Sequence, residues 1–211
     1  MCRLLFAESD EPFPIARHLV PFSEIARNSK EYQGHGWGCA YWADGRWAVY
    51  RDVRPVWEDD LRRFPRTLRL LAHARSAFRN EGVAVENNMP FTDGKTVFAF
   101  NGELHGVRVK AQGRTGAEKV FTLIRQLDHG DTLSALKRAV DVLQKRSRHI
   151  KAMNIILSDG AHTWASSLFS EDPDYFTLRR KSEDGVRIVC SEPYPGESGW
   201  LSIDNRFAGI V

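Results

Sequence analysis

Met1-Cys2-Arg3-Leu4-Leu5-Phe6 opens the chain, and the reading of the whole sequence turns on it. Leu4-Leu5-Phe6 is a short apolar run of the kind that forms a buried strand. Cysteine is small enough for the initiator methionine to be removed, so Cys2 is expected to become the N-terminal residue. One residue then carries both a thiol and a free α-amine. A thiol attacks as its thiolate, and an ordinary pKa of about 8.5 leaves little of it near neutrality. An α-amine with a pKa of about 7.7–8.0 is partly neutral there and can take the thiol proton. Nucleophile and base thus come in one residue, mounted on a strand. A Cys at position 2 says little by itself; the residues further along the chain give it meaning.

The chain has 211 residues, which suits one domain spanning 1–211. Hydrophobic residues make up 42% and charged residues 27%, the balance of an ordinary globular protein. Thirty basic against 27 acidic residues leave +3, too even for a nucleic-acid surface without a concentrated patch. Lys145-Arg146-Ser147-Arg148-His149 is the longest basic stretch, and it closes a predicted helix, where cations complement the dipole. Cys2, Cys39 and Cys190 are odd in number and far apart, which argues against a disulfide framework and for a reducing, cytoplasmic setting. No CxxC or clustered histidine spacing points to zinc. No apolar run is long enough to span a membrane, and no secretion signal is expected.

Along the chain, Glu8–Phe22 contains Pro12, Pro14 and Pro21 and reads as surface loop with at most a short helix. Cys39–Trp42 and Arg46–Tyr50 flank Asp44-Gly45, a hairpin signature. Glu58–Phe64 reads as a short helix stopped by Pro65, and Thr96–Phe100 as a buried strand ending at Asn101-Gly102. Ala117, Val120, Phe121, Ile124 and Leu127 recur at helical spacing, as do Leu133, Leu136, Ala139, Val140 and Leu143. Ala152–Leu157 and His162–Leu168, then Tyr175–Arg180 and Val186–Val189, read as strand pairs, with Arg206–Val211 as a last strand. Strands, two helices and strands again suggest an α+β domain with two sheets.

Cys2-Arg3-Leu4-Leu5, Gly36-Trp37-Gly38, His73-Ala74-Arg75-Ser76-Ala77, Asn88-Met89-Pro90-Phe91 and Asn101-Gly102-Glu103 occur in the order and approximate spacing of class II glutamine amidotransferase domains. Cys190-Ser191-Glu192-Pro193 and Trp200 resemble the stand-alone branch of that family, which includes the γ-glutamyl amidohydrolase of ergothioneine synthesis. The resemblance implies a four-layer αββα N-terminal-nucleophile hydrolase. It implies Cys2 as nucleophile, with Asn101 (side-chain amide) and Gly102 (backbone N–H) as oxyanion donors. Arg75 would clamp a substrate carboxylate with its planar fork. Ser76 and His73 would pack around it rather than act as bases. Trp37 either walls the pocket or belongs to the core.

Gly116 departs from the family pattern, because relatives tend to place there an Asp that grips the α-ammonium of glutamine. Glu118 is retained, but Thr115-x-x-Glu118 is also a capping box. Met89 stands where the family usually has His. The expected activity is therefore amide hydrolysis through a Cys2 thioester, with glutamine or a γ-glutamyl amide as substrate. No cofactor, metal, nucleic acid or membrane partner is implied; a separate synthetase receiving ammonia is one version. The alternative is a catalytically impaired relative that binds a small ligand or regulates a partner.

Overall fold

A computed structural model describes residues 1–211, the side chain of residue 80 excepted. The chain runs β1 (Arg3–Pro14), α1 (Ala16–Arg27), β2 (Trp37–Ala43), β3 (Arg46–Asp52), β4 (Arg66–Ala74), β5 (Phe91–Thr92) and β6 (Val97–His105). It continues with α2 (Gly116–Leu127), α3 (Thr132–Arg146), β7 (His149–Ser158), β8 (Thr163–Ser167), α4 (Pro173–Phe176), β9 (Arg179–Glu183), β10 (Val186–Cys190), β11 (Leu201–Ser202) and β12 (Phe207–Ile210). A seven-stranded sheet has the order β11-β9-β10-β1-β4-β2-β3 and a five-stranded sheet the order β12-β8-β7-β6-β5. All of their pairings are antiparallel.

Strand alternation builds the layers. Leu5 and Ala7 of β1, Cys39 of β2, Leu70 and Ala72 of β4 and Ile188 of β10 pack in one core with Leu19, Phe22 and Ile25 of α1. The intervening Leu4, Phe6, Ala40, Leu71 and Val189 join a second core with the five-stranded sheet, which α2 and α3 cover through Phe121, Ile124, Leu136 and Ala139. The layers are helix, sheet, sheet, helix pair, as the α+β αββα expectation requires. Among the described residues no helix is long and apolar enough to cross a membrane.

Four local expectations are corrected. Glu8–Phe22 is not a loop: β1 extends to Pro14 and α1 begins at Ala16. Pro12 and Pro14 are tolerated because β1 pairs with β10 only as far as Ser9, so no ladder donor is lost on that side. Pro21 sits inside α1 at a cost of about 3 kcal/mol. Burying Leu19, Phe22 and Ile25 at roughly 1.5–3 kcal/mol each outweighs it. Glu58–Phe64 resolves into two 3-10 turns, Val56–Glu58 and Leu61–Arg63. Tyr175 lies in the short helix α4, and the strand starts only at Arg179. Asn101-Gly102 does not end its strand; β6 continues to His105, with Asn101 opposite Asn154 and Gly102 opposite Met153.

Candidate active site

Cys2, immediately before β1, opens onto a cleft of about 730 Å³ that is also lined by Arg75, Ser76, Gly102 and Gly116. The start of β1 is pinned from the far end of the chain. Leu4 N donates to Ser191 Oγ at 2.8 Å, and Ser191 N donates to Leu4 O at 2.9 Å. Arg3 is buried, pairs with Glu192 at 2.8 Å and lies 3.9 Å over the Tyr175 ring. The Cys190-Ser191-Glu192 motif thus fixes the N-terminus.

Burial pushes the Cys2 thiol pKa up, while the N-terminal amine, the Ser76 backbone and Arg75 pull it down. The Cys2 thiol lies 3.7 Å from the Ser76 carbonyl, to which it donates. Met1 precedes it, with its amine 3.7 Å from Glu31 and its carbonyl accepting from Gln33 Nε2 at 2.5 Å and from the Tyr175 hydroxyl at 2.6 Å.

Three of the sequence motifs converge on Arg75. Arg75 N donates to Gly36 O at 2.9 Å, and His35 N donates to Arg75 O at 3.2 Å. The guanidinium donates to Gly82 O at 2.7 Å and to Asn88 Oδ1 at 3.4 Å, and Asn88 Nδ2 in turn donates to Asp52 O at 2.7 Å. Gly36 has φ +114°, and a Cβ there would run into Asn88 Nδ2, so glycine is needed on both counts. His73 is fully buried between the sheets, and burial, Arg75 and the N-terminal amine together lower its pKa to about 3. It is neutral near pH 7.

Asn101 is fully buried on β6 between the lining residues Phe100 and Gly102, and both its Nδ2 and Oδ1 lack a hydrogen-bond partner among the described residues. A side chain at Gly102 would strike the Ala152 carbonyl and the Phe100 ring, so only glycine lets this strand approach β7 so closely. At Gly116 a Cβ would meet nothing within 4 Å. Thr115 caps α2 by accepting from Glu118 N at 3.2 Å, while the Glu118 carboxylate is held by Arg114 N at 2.6 Å and by its guanidinium at 2.7 Å. Glu118 is therefore already engaged.

Trp37 is not part of the cleft. It packs in the core under α1 with Tyr50 and Phe64, and its indole donates to Asp59 at 3.1 Å. Its position next to Gly36, which does hold Arg75, is what suggests a pocket wall; strand alternation turns its side chain to the other face. Gln33 and Tyr175 carry no motif signal. Their proximity comes from a contact 142 residues apart in the chain.

The model of the family described as "Glutamine amidotransferases class-II" matches residues 1–189. The chain belongs to the class II glutamine amidotransferase family. Within it, the chain is 28% identical over 182 residues to a γ-glutamyl-hercynylcysteine sulfoxide hydrolase of Mycobacterium tuberculosis, covering 81% of this chain and 72% of that protein. A hydrolase of the same name from Mycolicibacterium smegmatis is 26% identical over 180 residues, covering 81% and 74%. A solved class II glutamine aminotransferase-domain protein from Silicibacter pomeroyi superposes with TM-score 0.68 at 20% identity over 97% of this chain and 92% of its own. The glutamine phosphoribosylpyrophosphate amidotransferase of B. subtilis gives 0.65 at 15% identity, over 90% of this chain and 42% of its own. These likenesses establish the amidotransferase fold, and the family together with its hydrolase relatives supports amidohydrolase activity.

Proposed function

We propose that this protein hydrolyses γ-glutamyl amides through a thioester on Cys2. The observation that carries the reading is the meeting of Cys2, Arg75, Ser76 and Gly102 around one cleft, with Asn101, whose side-chain amide is unpaired, on β6 between the lining residues Phe100 and Gly102. Once Met1 is removed, the neutral Cys2 amine takes the thiol proton, and sulfur attacks the side-chain carbonyl carbon. The carbonyl π pair moves onto oxygen, where Asn101 Nδ2 and Gly102 N–H receive the negative charge. The oxyanion collapses, the C–N bond breaks and the departing nitrogen takes the proton from the ammonium. Water, giving its proton to the amine, attacks the thioester and releases glutamate and the thiol. Arg75 holds the α-carboxylate of the acyl group.

One feature favours a γ-glutamyl amide with a bulky amine over free glutamine. The two share the same α-ammonium and α-carboxylate and differ only in the leaving amine. Leu104, Val109 and Leu123 line the same cleft as Cys2, apolar side chains suited to a leaving amine much larger than ammonia. The hydrolases named for γ-glutamyl-hercynylcysteine sulfoxide are consistent with a bulky amine on that side.

The test is amine release from a panel of γ-glutamyl amides of increasing leaving-group size, using protein whose intact mass shows Met1 absent, beside Cys2→Ala. Turnover that rises with leaving-group size and vanishes in Cys2→Ala is expected. Equal turnover in Cys2→Ala would overturn the mechanism, and binding without any turnover would favour the ligand-binding alternative.

A further inference from the structure

We infer that the Tyr175 hydroxyl, held by Gln33 and Ser29, is the hydrogen-bond acceptor that orients the Cys2 α-amine after Met1 leaves, so that the amine's lone pair faces the thiol. This rests on the reading of Cys2 as an N-terminal nucleophile, which requires its amine to be aimed and not merely present. A neutral amine has two N–H groups and one lone pair. If neither hydrogen is anchored, the lone pair turns freely and meets the thiol only part of the time.

With Met1 attached, its carbonyl oxygen fills the place that the amine would claim. That oxygen is two bonds from the Cys2 nitrogen, about 2.2 Å through the peptide. It is grasped by Tyr175 Oη at 2.6 Å and by Gln33 Nε2 at 2.5 Å. Gln33 is fully buried. Its Nε2 lies within reach of Met1 O, of Glu31 O at 2.8 Å, of Tyr175 Oη at 3.1 Å and of Ser29 Oγ at 3.4 Å, more acceptors than its two hydrogens can serve.

Hydrolysis of the Met1–Cys2 peptide consumes one water, carries the carbonyl away as the carboxylate of methionine and leaves the amine. The two Gln33 hydrogens then have two good acceptors, Glu31 O and Tyr175 Oη. Ser29 Oγ, 3.4 Å from Tyr175 Oη, takes the hydroxyl proton. One lone pair on Tyr175 Oη is left for an N–H of Cys2.

Tyr175 is well fixed for this role. It is buried, its backbone N donates to Asp172 O at 3.0 Å, and Arg3 Nη1 donates to its carbonyl at 3.3 Å. Burial raises its phenol pKa to about 12, so it is a neutral acceptor and not a base over the working range. The charged and titratable groups around the amine are Arg3 on β1, Glu31 and His35 after α1, His73 on β4, Arg75 just beyond it, Lys151 on β7 and Glu192 after β10. Their charges set a common background that Tyr175→Phe leaves in place, because that change removes one oxygen and no charge.

Tyr175 and its two supports are positioning residues. An acceptor stabilises the ammonium form, so its removal lowers the amine pKa. The experiment is a nitrogen-15 NMR titration of the Cys2 amine in processed protein labelled at cysteine, for the wild type, Tyr175→Phe and Ser29→Ala. Iodoacetamide alkylation of Cys2 at pH 7 is measured alongside, with buried Cys39 and Cys190 as unreactive references. Tyr175→Phe is expected to lower the amine midpoint by about half a unit to one unit and to slow alkylation by roughly tenfold. Ser29→Ala frees the hydroxyl proton to occupy the lone pair, and is expected to lower both in the same direction even if Tyr175→Phe fails to fold. A midpoint that is unmoved or raised overturns the proposal, whereas a merely structural role would slow the reaction without moving the midpoint. If Cys2→Ala keeps full amine release, the nucleophile reading fails; if Cys2→Ala is inactive while the midpoint stays put, only the role of Tyr175 fails.

Discussion

Cys2 immediately precedes β1, Cys190 ends the neighbouring strand β10 and Cys39 lies on β2, two strands beyond β1 in the same sheet, yet their surroundings differ in kind. Cys39 and Cys190 are fully buried in the core under α1. Burial drives both thiols up, Cys190 to about 12 and Cys39 further still. Burial raises the Cys2 thiol as well, but there an amine, a backbone group and Arg75 oppose it, and a cleft lies in front. Desolvation and a nearby guanidinium are common to all three, with Arg3 beside Cys190 and Arg63 beside Cys39; what sets Cys2 apart is the N-terminal amine and the open cleft.

The largest test of that contrast is substitution of each cysteine in turn. Cys2→Ala is expected to reduce amine release by about a thousandfold or more. Cys39→Ala and Cys190→Ala should keep turnover within about twofold and lose about 1–2 kcal/mol of stability, read from urea melts. Turnover lost equally in all three would erase the distinction between the two regions.

The next effect concerns Asn101, as buried as Cys39 but unpaired. Asn101→Ala is expected to lower kcat by about 10²–10³ with KM nearly unchanged. Stability should fall by less than about 1 kcal/mol, because an unsatisfied buried amide is removed along with its packing. Steady-state kinetics beside chemical denaturation distinguish this from ordinary core damage.

A smaller change is expected at the mouth of the cleft. Gly116→Asp has open space for its side chain and stands in the first turn of α2. It should lower KM for glutamine by about tenfold and raise stability by about 0.3–1 kcal/mol through the helix dipole. γ-Glutamyl amides carry the same α-ammonium, so their KM should fall in parallel, and an unchanged KM for both would rule out an α-ammonium site at this position.

The smallest effect extends the burial rule from thiols to a cation. The folded pKa of His73, about 3, lies below its unfolded 6.5, so the unfolded chain binds the proton first as pH falls. Its contribution to stability is complete above 6.5 and is lost toward 3, amounting to about 0.7 kcal/mol between pH 7 and pH 6. Urea melts at the two values, compared with His73→Asn, measure the slope; an identical slope in the variant would show that His73 is not its source. His18, lowered to about 4 by burial and by Arg17, adds in the same direction.

Much of the fold was legible because its signals are local. Asp44-Gly45 and Asp184-Gly185 both turn with positive φ, as their hairpins require. The spacing of Val120, Phe121 and Ile124 marked α2, and Thr115 caps it as the sequence suggested. α1 was hidden because three prolines drew attention from the helical spacing of Ile15, Leu19, Phe22 and Ala26, all buried. Of the motif residues, Cys2, Arg75, Gly102 and Gly116 line one cleft, but the face on which Trp37 points depends on strand register that the sequence does not display. Gln33 and Tyr175 were invisible for a stronger reason: neither is chemically unusual, and only the folding of α4 against the first residues brings them together.

The enclosure of Met1 also orders events in time. Its side chain is 10% exposed, and the hydroxyl that closes over its carbonyl belongs to a residue 174 positions later. On the ribosome the first residues therefore stand uncovered until most of the polypeptide has been made. On the reading proposed above, an aminopeptidase would have that interval to trim the methionine, and a chain that finished folding untrimmed would keep Met1 on the wall of the cleft beside Cys2.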